Sequence, residues 1–199
     1  GKNQFKINKN NIGKFKKFNL KGFVAEKIVN FDKEISVICF RDNKGNIEYL
    51  PPVHNIHKKS ILKSTTFPPN ISKVTEIKAI EYAKKIALNL NLVGVLAVEM
   101  FVLKNGQILI NELAPRPHNS GHWSLDCCEV NQFENLLRAI SKQKVLAPKF
   151  FSRGIMKNLI GKEYLKKITS TKNIKFHDYY KKMVKEKRKM GHVTYIKKL

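Results

Sequence analysis

Hydrophobic and polar positions divide the 199 residues into segments of distinct period. Between Gly94 and Leu113 apolar residues crowd both sides of Asn105-Gly106. Both residues tolerate φ > 0, so the dipeptide favours a two-residue hairpin turn. This predicts antiparallel strands over about Val95–Leu103 and Ile108–Leu113. With that turn Lys104 pairs with Gln107, Phe101 faces Ile110 and Glu99 faces Glu112, each pair summing to 211. Upstream, Gly22–Val29 (GFVAEKIV) reads as a buried strand and Glu34–Arg41 (EISVICFR) as a second. A turn over Asp42–Asn46 leads into a hairpin partner at Ile47–Leu50. His54 and His57, three apart, fall on opposite faces of a strand and should not chelate one ion. Ile61–Asn70, closed by Pro68-Pro69, reads as a loop.

Between Ser72 and Leu90 apolar residues stand at Val74, Ile77, Ile80, Ala83, Ile86, Ala87 and Leu90, with lysines opposite. That is helical spacing, and it predicts an amphipathic helix with a core role only. A second helix is predicted over Cys128–Ser141, burying Val130, Phe133, Leu136, Leu137 and Ile140. Lys142–Pro148 reads as a linker. The remainder, with a strand candidate at Ile155–Gly161, reads as a small β-rich appendage. Residues 1–145 and 146–199 are the two expected domains.

Composition adds limits. The length supports one sizeable core plus an appendage. No run of 18 apolar residues suggests a transmembrane helix, and the basic start lacks the apolar stretch of a signal peptide. Cys39, Cys127 and Cys128 are odd in number and lack metal or redox spacing, which fits a reducing cytoplasm. Lys+Arg 39 against Asp+Glu 15 gives a formal charge of +24. Such a balance points towards a polyanion. The lysines are dispersed, however, without an RGG tract, a zinc-finger pattern or an RNA-recognition signature, which argues against a specific nucleic-acid partner. A nucleotide and a sugar phosphate would be drawn to the same basic cleft.

The chemistry concentrates around the hairpin. Like charges directly opposite destabilise a strand pair. At ~5 Å and an effective dielectric near 20, two carboxylates repel by roughly 3 kcal/mol. A divalent cation reverses that sign, and carboxylates together with phosphate oxygens are usual Mg²⁺ ligands. A solvated glutamate, or one paired with a lysine, is the plain alternative. The segment after the second strand, Ala114–Trp123 (APRPHNSGHW), gathers an arginine, two histidines and an asparagine that can be aimed at one anion.

GVLAVEMFV and ILINELAPRPHNSGHW closely resemble the metal-binding hairpin and substrate loop of the N5-carboxyaminoimidazole ribonucleotide synthases, ATP-grasp carboxylases of purine biosynthesis. Gln132-Phe133-Glu134, Leu137-Arg138-Ala139-Ile140 and Arg188-Lys189-Met190-Gly191-His192 extend the likeness. The sister transformylase that uses formate departs where this chain has Asn119-Ser120-Gly121-His122-Trp123. The resemblance implies an α+β fold: the C-terminal part of an ATP-grasp fold, an antiparallel sheet with packed helices, plus a small β-rich C-terminal domain. Gly1–Ile7 resembles the tail of the glycine-rich phosphate loop, so the chain is expected to be the C-terminal part of a longer enzyme.

The implied reaction is ATP- and bicarbonate-dependent carboxylation of 5-aminoimidazole ribonucleotide through carboxyphosphate, with ATP and Mg²⁺ as cofactors and a homodimer as the family's usual assembly. By the same resemblance, Glu26-Lys27-Ile28-Val29 form the adenine hinge, Glu34 takes the ribose hydroxyls and His57 lies near the nucleotide. Glu99 and Glu112 hold the metal, and Asn111 borders the same site. Arg116 and His118 are the donors for bicarbonate. Asn119, Ser120, Lys181 or Lys182, Arg188 and Lys189 bind the ribonucleotide. Two positions depart from the pattern: Ala114 stands where related enzymes often carry a third, Asn ligand, and Glu186-Lys187 replaces a Pro-Gly. By residue type alone Glu26 and Glu34 read as solvated carboxylates at strand ends. An inactive fragment that only binds nucleotide and a basic nucleic-acid-binding module are the other function classes.

Overall fold

A computed structural model describes residues 5–16, 21–166 and 168–198. They fall into two units, Gly1–Asn30 and Phe31–Leu199. The first holds one short helix, α1 (Ile12–Phe15), and Phe5 meets the Phe15 ring edge-on at 5.6 Å. The buried strand expected over Gly22–Val29 does not form. Residues 23–30 carry no strand assignment, and Val24 is 86% exposed. An apolar run becomes a strand only where a ladder satisfies its backbone and a layer covers its side chains, and no described strand pairs with this one. The part of the phosphate-loop resemblance at Gly1–Gln4 lies outside the described residues.

The second unit is built on one sheet. Its strands are β1 (Lys33–Arg41), β2 (Ile47–Lys58), β3 (Ile61–Phe67), β4 (Gly94–Val102), β5 (Ile108–Ala114), β6 (Ser152–Ile160), β7 (Ile174–Asp178) and β8 (Lys189–Lys198). The order is β5-β4-β1-β2-β3-β6-β8-β7, and every neighbouring pair is antiparallel. The loop expected over Ile61–Asn70 is thus largely a strand. Ser64 and Thr65 are buried there, Thr65 donating to Asn55 at 2.9 Å. Because β3 pairs with β6, the C-terminal strands extend the main sheet instead of forming one of their own.

The centre of the sheet is covered on both faces, which is why β1 reads as a continuous apolar run rather than an alternating one. Ile35, Val37 and Cys39 pack on one side with Leu96, Val98 and Met100. Ile38 and Phe40 pack on the other with Trp123, Cys127 and Val145. The first side is closed by α2 (Lys73–Asn89), whose first turn is capped by Ser72 Oγ accepting from the Thr75 N–H. The buried stripe of α2 is Thr75, Ala79, Ala83 and Ala87, while Val74, Ile77 and Leu90 stay exposed. Small side chains let the helix axis approach the sheet, so of the predicted stripe Ala83 and Ala87 are buried, Ile86 packs against the core, and Val74, Ile77 and Leu90 lie off the contact.

The second side is closed by α3 (Ser124–Cys127) and α4 (Gln132–Ile140). Asn131 caps α4 by accepting from the Phe133 and Glu134 N–H groups, which starts the helix later than predicted. Leu137 and Ile140 are exposed, and Gln132, Asn135 and Ala139 are the buried positions. The expected linker 142–148 is tied down: Asn135 bonds both the N–H and the C=O of Leu146 at 2.9 Å, and Val145 is fully buried.

Candidate active site

The β4–β5 hairpin reaches the expected carboxylate pair by an unexpected route. Leu103 N–H donates to Gln107 O at 2.9 Å, and Gly106 N–H donates to Leu103 O at 2.9 Å. Gly106 sits at φ 81°. The turn therefore has three residues, Lys104, Asn105 and Gly106, in the arrangement that ends on a left-handed glycine. Val102 faces Ile108, Phe101 faces Leu109 and Met100 faces Ile110, so Phe101 does not face Ile110 and Lys104 does not pair with Gln107. The register then shifts by one, and Glu99 faces Glu112. Asn111 is the extra, bulged residue. Were Asn111 paired instead of bulged, Glu99 would face Asn111, and Glu112 would turn to the opposite side of the ribbon.

Glu99, Glu112, His57 and His118 line a cavity of about 490 Å³. Arg116, Lys181, Lys187, Arg188 and Lys189 supply its cationic wall. Burial holds the Glu99 carboxyl above its usual range; Glu112 and Glu34 push the same way, while His57 and Lys189 oppose. Glu112 is exposed and, among the described residues, has no recorded hydrogen bond or ion pair. His57 Nδ1 lies 2.6 Å from Glu34 Oε2, and this bond raises the imidazole against the opposing effect of its burial. His118 Nε2 lies 3.3 Å from Glu99 Oε1. Burial lowers His118 to about 4, helped by Arg116 and Lys189. Lys189 is itself lowered by burial, and Glu99 counteracts this.

Other expected site residues are placed differently. Ser120 is fully buried, its hydroxyl held between Ser36 and His118, so it supports the site instead of facing substrate. Asn119 has both amide atoms engaged: Oδ1 accepts from Asn158, and Nδ2 donates to the Tyr179 hydroxyl at 3.4 Å. Lys181 lines the cavity, bonding Lys189 O at 2.6 Å, whereas Lys182 is exposed outside it. Asn111 is exposed beside Glu112. Glu26, Lys27, Ile28 and Val29 belong to the first unit, where only Val29 is partly covered.

Two supports escaped the sequence reading. Gln132 is fully buried and clamps the loop. Its Oε1 accepts from His118 N–H at 2.9 Å, and its Nε2 donates to His118 O at 3.0 Å and to His122 Nδ1 at 2.8 Å. The other is Gly161, at φ 55°, where an added Cβ would stand 2.6 Å from Glu186 O. Its N–H donates to Arg188 O at 2.9 Å, so the cationic segment rests directly on this glycine. Neither role has a signal in local periodicity.

Asp126, His177 and His192 also gather, their ligand atoms within 4.8 Å. The two imidazoles are stacked at 4.4 Å with 13° between planes. Stacked rings keep their lone pairs in separate, nearly parallel planes, which do not share a point about 2 Å from each nitrogen, as zinc requires. Asp126 instead pairs with His177 at 3.0 Å, and His192 Nδ1 bonds the Tyr179 hydroxyl at 2.9 Å.

Burial dominates in lowering three imidazoles: His118 and His122 to about 4 and His192 to about 3. Their folded values lie below the unfolded value near 6.5, so the stability linked to their neutral forms is present above pH 6.5. It is lost as pH falls towards 4; His57, raised, works in the opposite sense. Unfolding melts should show Tm falling by roughly 8 °C between pH 7 and pH 5, a loss on the order of 3 kcal/mol. A flat Tm over that window would contradict the buried neutral histidines.

The chain matches the ATP-grasp domain family over residues 1–133 and the phosphoribosylaminoimidazole carboxylase C-terminal domain over residues 154–198. The first match covers more than half of it, and the protein belongs to the ATP-grasp family. Its similarity runs specifically to the N5-carboxyaminoimidazole ribonucleotide synthases. That of Bacillus subtilis is 43% identical over 178 residues, 87% of this chain and 47% of the relative. That of Brucella melitensis is 43% identical over 176 residues, 87% of this chain and 49% of the relative. Among solved structures, an ADP complex of an N5-carboxyaminoimidazole ribonucleotide synthetase superposes with TM-score 0.83 at 42% identity, covering 86% of this chain and 46% of its own. The Aspergillus clavatus synthase with ADP and 5-aminoimidazole ribonucleotide gives TM-score 0.81 at 33% identity, covering 87% and 48%. The chain thus spans about half the length of the curated relatives it matches.

Proposed function

We propose that this chain carries the metal, bicarbonate and sugar-phosphate subsites of a carboxylase that converts 5-aminoimidazole ribonucleotide to N5-carboxyaminoimidazole ribonucleotide. It uses ATP and bicarbonate, in purine biosynthesis. The observation that carries the reading is Glu99 facing Glu112 in a cavity with a cationic wall. Two carboxylates from neighbouring strands, one of them free of recorded protein partners, suit a hard divalent cation such as Mg²⁺. Bound there, Mg²⁺ supplies charge neutralisation for phosphoryl transfer.

The chain's own residues divide the remaining work. Within the second unit, Glu34, His57 and Asn111 border the nucleotide. A bicarbonate oxygen attacks the γ-phosphorus, giving carboxyphosphate and ADP. The exocyclic amine of the ribonucleotide then takes the carboxyl group as phosphate leaves. Arg116, exposed at the cavity, is the first donor to the carboxylate oxygens of these species. His118, its Nε2 directed at Glu99, acts through that carboxylate. Lys181, Arg188 and Lys189 hold the ribonucleotide phosphate, with Asn119 beside them. A division near residue 146, a homodimer and a cytoplasmic setting belong to the same reading; the three cysteines are free, and no described helix is long and apolar enough to cross a membrane.

The test is ADP release under Mg²⁺-ATP with bicarbonate and the ribonucleotide added separately and together. Turnover only with all components supports the carboxylase. Mg²⁺-dependent ATP binding without any ADP release would replace it with a nucleotide-binding remnant. No ATP affinity, with steeply salt-dependent RNA binding, would replace it with a nucleic-acid module.

A further inference from the structure

Behind Glu99 runs a line of buried polar groups that no part of the proposed reaction touches. Thr65 Oγ1 donates to Asn55 Oδ1 at 2.9 Å, and Asn55 Nδ2 donates to Ser36 Oγ at 2.9 Å. Ser36 Oγ donates to Ser120 Oγ at 2.7 Å, and Ser120 Oγ lies 2.8 Å from His118 Nδ1. Thr65, Ser36 and Ser120 are fully buried and Asn55 is 3% exposed, so water does not compete for these bonds. The groups lie across three adjacent strands: Thr65 faces Asn55 between β3 and β2, Asn55 faces Glu34 between β2 and β1, and Ser36 faces Glu99 between β1 and β4. In the middle of an apolar sheet such groups are retained only when each finds a partner.

The orientation of the Asn55 amide sets the direction of the line. An amide nitrogen only donates and an amide oxygen only accepts. With Asn55 Nδ2 donating to Ser36, the Ser36 hydroxyl hydrogen goes on to Ser120, and the Ser120 hydrogen goes to His118. The backbone N–H of Ser120 points at the same ring nitrogen at 3.4 Å. His118 Nδ1 is therefore an acceptor, which leaves the ring hydrogen on Nε2. Nε2 lies 3.3 Å from Glu99 Oε1, a close electrostatic contact to the carboxylate.

We propose that the Thr65–Asn55–Ser36–Ser120 line holds His118 in its Nε2–H tautomer, and that Ser36 and Asn55 are thereby positioning residues for Glu99. With the opposite tautomer the ring would present a lone pair to the carboxylate, and Glu99 would swing away from Glu112. With the Nε2–H tautomer the ring turns its positive edge to one carboxylate oxygen, and the other stays available to a cation. The proposal rests on the reading of Glu99 and Glu112 as metal ligands, but its first readout does not. The partners that orient a metal-binding side chain change affinity by about 10–100-fold when removed.

The test uses protein labelled with ¹⁵N at the histidine ring nitrogens, His118 being assigned by comparison with His118→Gln. The expected spectrum has Nδ1 at an acceptor shift and Nε2 at a protonated shift. Ser36→Ala should give a mixture of tautomers and weaken Mg²⁺-dependent ATP binding by about 10-fold, and Ser36→Thr, which keeps a hydroxyl, should restore both. Thr65→Val keeps side-chain volume and removes only the far hydroxyl; it should give a smaller share of the second tautomer, and it carries the test if Ser36→Ala does not fold. An unchanged His118 tautomer in the folded variants overturns the proposal, as does Nδ1–H in the unaltered protein. Unaltered protein with the expected tautomer but no Mg²⁺-dependent ATP affinity would instead reject the metal reading and leave the tautomer assignment standing.

Discussion

Replacing Glu112 with glutamine is expected to remove Mg²⁺-dependent ATP binding, with affinity falling at least ~100-fold, because losing a direct ligand should cost no less than losing one of its supports. The substitution keeps volume and shape and deletes one charge. It also relieves the repulsion between facing carboxylates, so the burial-raised Glu99 carboxyl should return towards its ordinary range. The fold should be unharmed or slightly steadier, since Glu112 is exposed on an edge strand and has no recorded protein partner. Calorimetric titration of ATP with and without Mg²⁺, beside a urea melt, reads both effects. A Glu112→Gln protein that still binds ATP in a fully Mg²⁺-dependent way would remove the carboxylate pair from the mechanism.

The largest stability effect is expected at Trp123. Its side chain is completely buried and stacks on Phe67 at 4.3 Å with 18° between rings, with Phe150 at 6.2 Å. Truncation to alanine leaves a void between the sheet and the loop that carries His118 and Ser120, at a cost of about 3–5 kcal/mol. Trp123→Phe keeps the stacking and should lose less than half of that. Urea unfolding at pH 7 measures both. A loss under 1 kcal/mol for Trp123→Ala would mean that the loop is not held by its packing on Phe67.

Glu99 facing Glu112 was legible in the sequence, though partly through two compensating errors. The Asn105-Gly106 signal suggested a turn one residue too short, and the bulge at Asn111 restored the lost register. Bulges leave little trace in a hydrophobic pattern, so the sequence supports the pairing only at the two ends of that argument. α2 was legible by period and, at Ala83, Ile86 and Ala87, by face; Val74, Ile77 and Leu90 fall outside it, because close approach to a sheet favours alanine over the larger residues that dominate a periodicity count. β3 was missed because Pro68-Pro69 weighed towards a loop, although Ser64 and Thr65 just before them are buried and paired in the sheet. Missing β3 hid the join between the N-terminal and C-terminal strands.

The supports of the site were the least legible part. Gln132, Ser36 and Asn55 act through hydrogen bonds that reach across 14, 84 and 19 positions of chain, and nothing local marks a residue for such a task. Gly121 belongs to the same class: an added Cβ would stand 2.4 Å from Ile38 Cδ1, a close approach created by the fold alone.

The strand order has a geometric corollary. Five inter-strand steps separate β4 from β8, so a flat sheet would hold Glu99 and Lys189 roughly 24 Å apart at 4.7–4.9 Å per step. Both nevertheless line one cavity and influence each other's charge. The sheet must therefore roll over the site, and register shifts at Ser36/Ile38, Ile56/His57, Glu99/Met100 and Leu159/Ile160 are the places where ladders bend. The gap between cationic wall and acidic floor is thus an angle accumulated over six strands, and ironing out any one kink would both widen the mouth and turn the side chains beyond it to the other face.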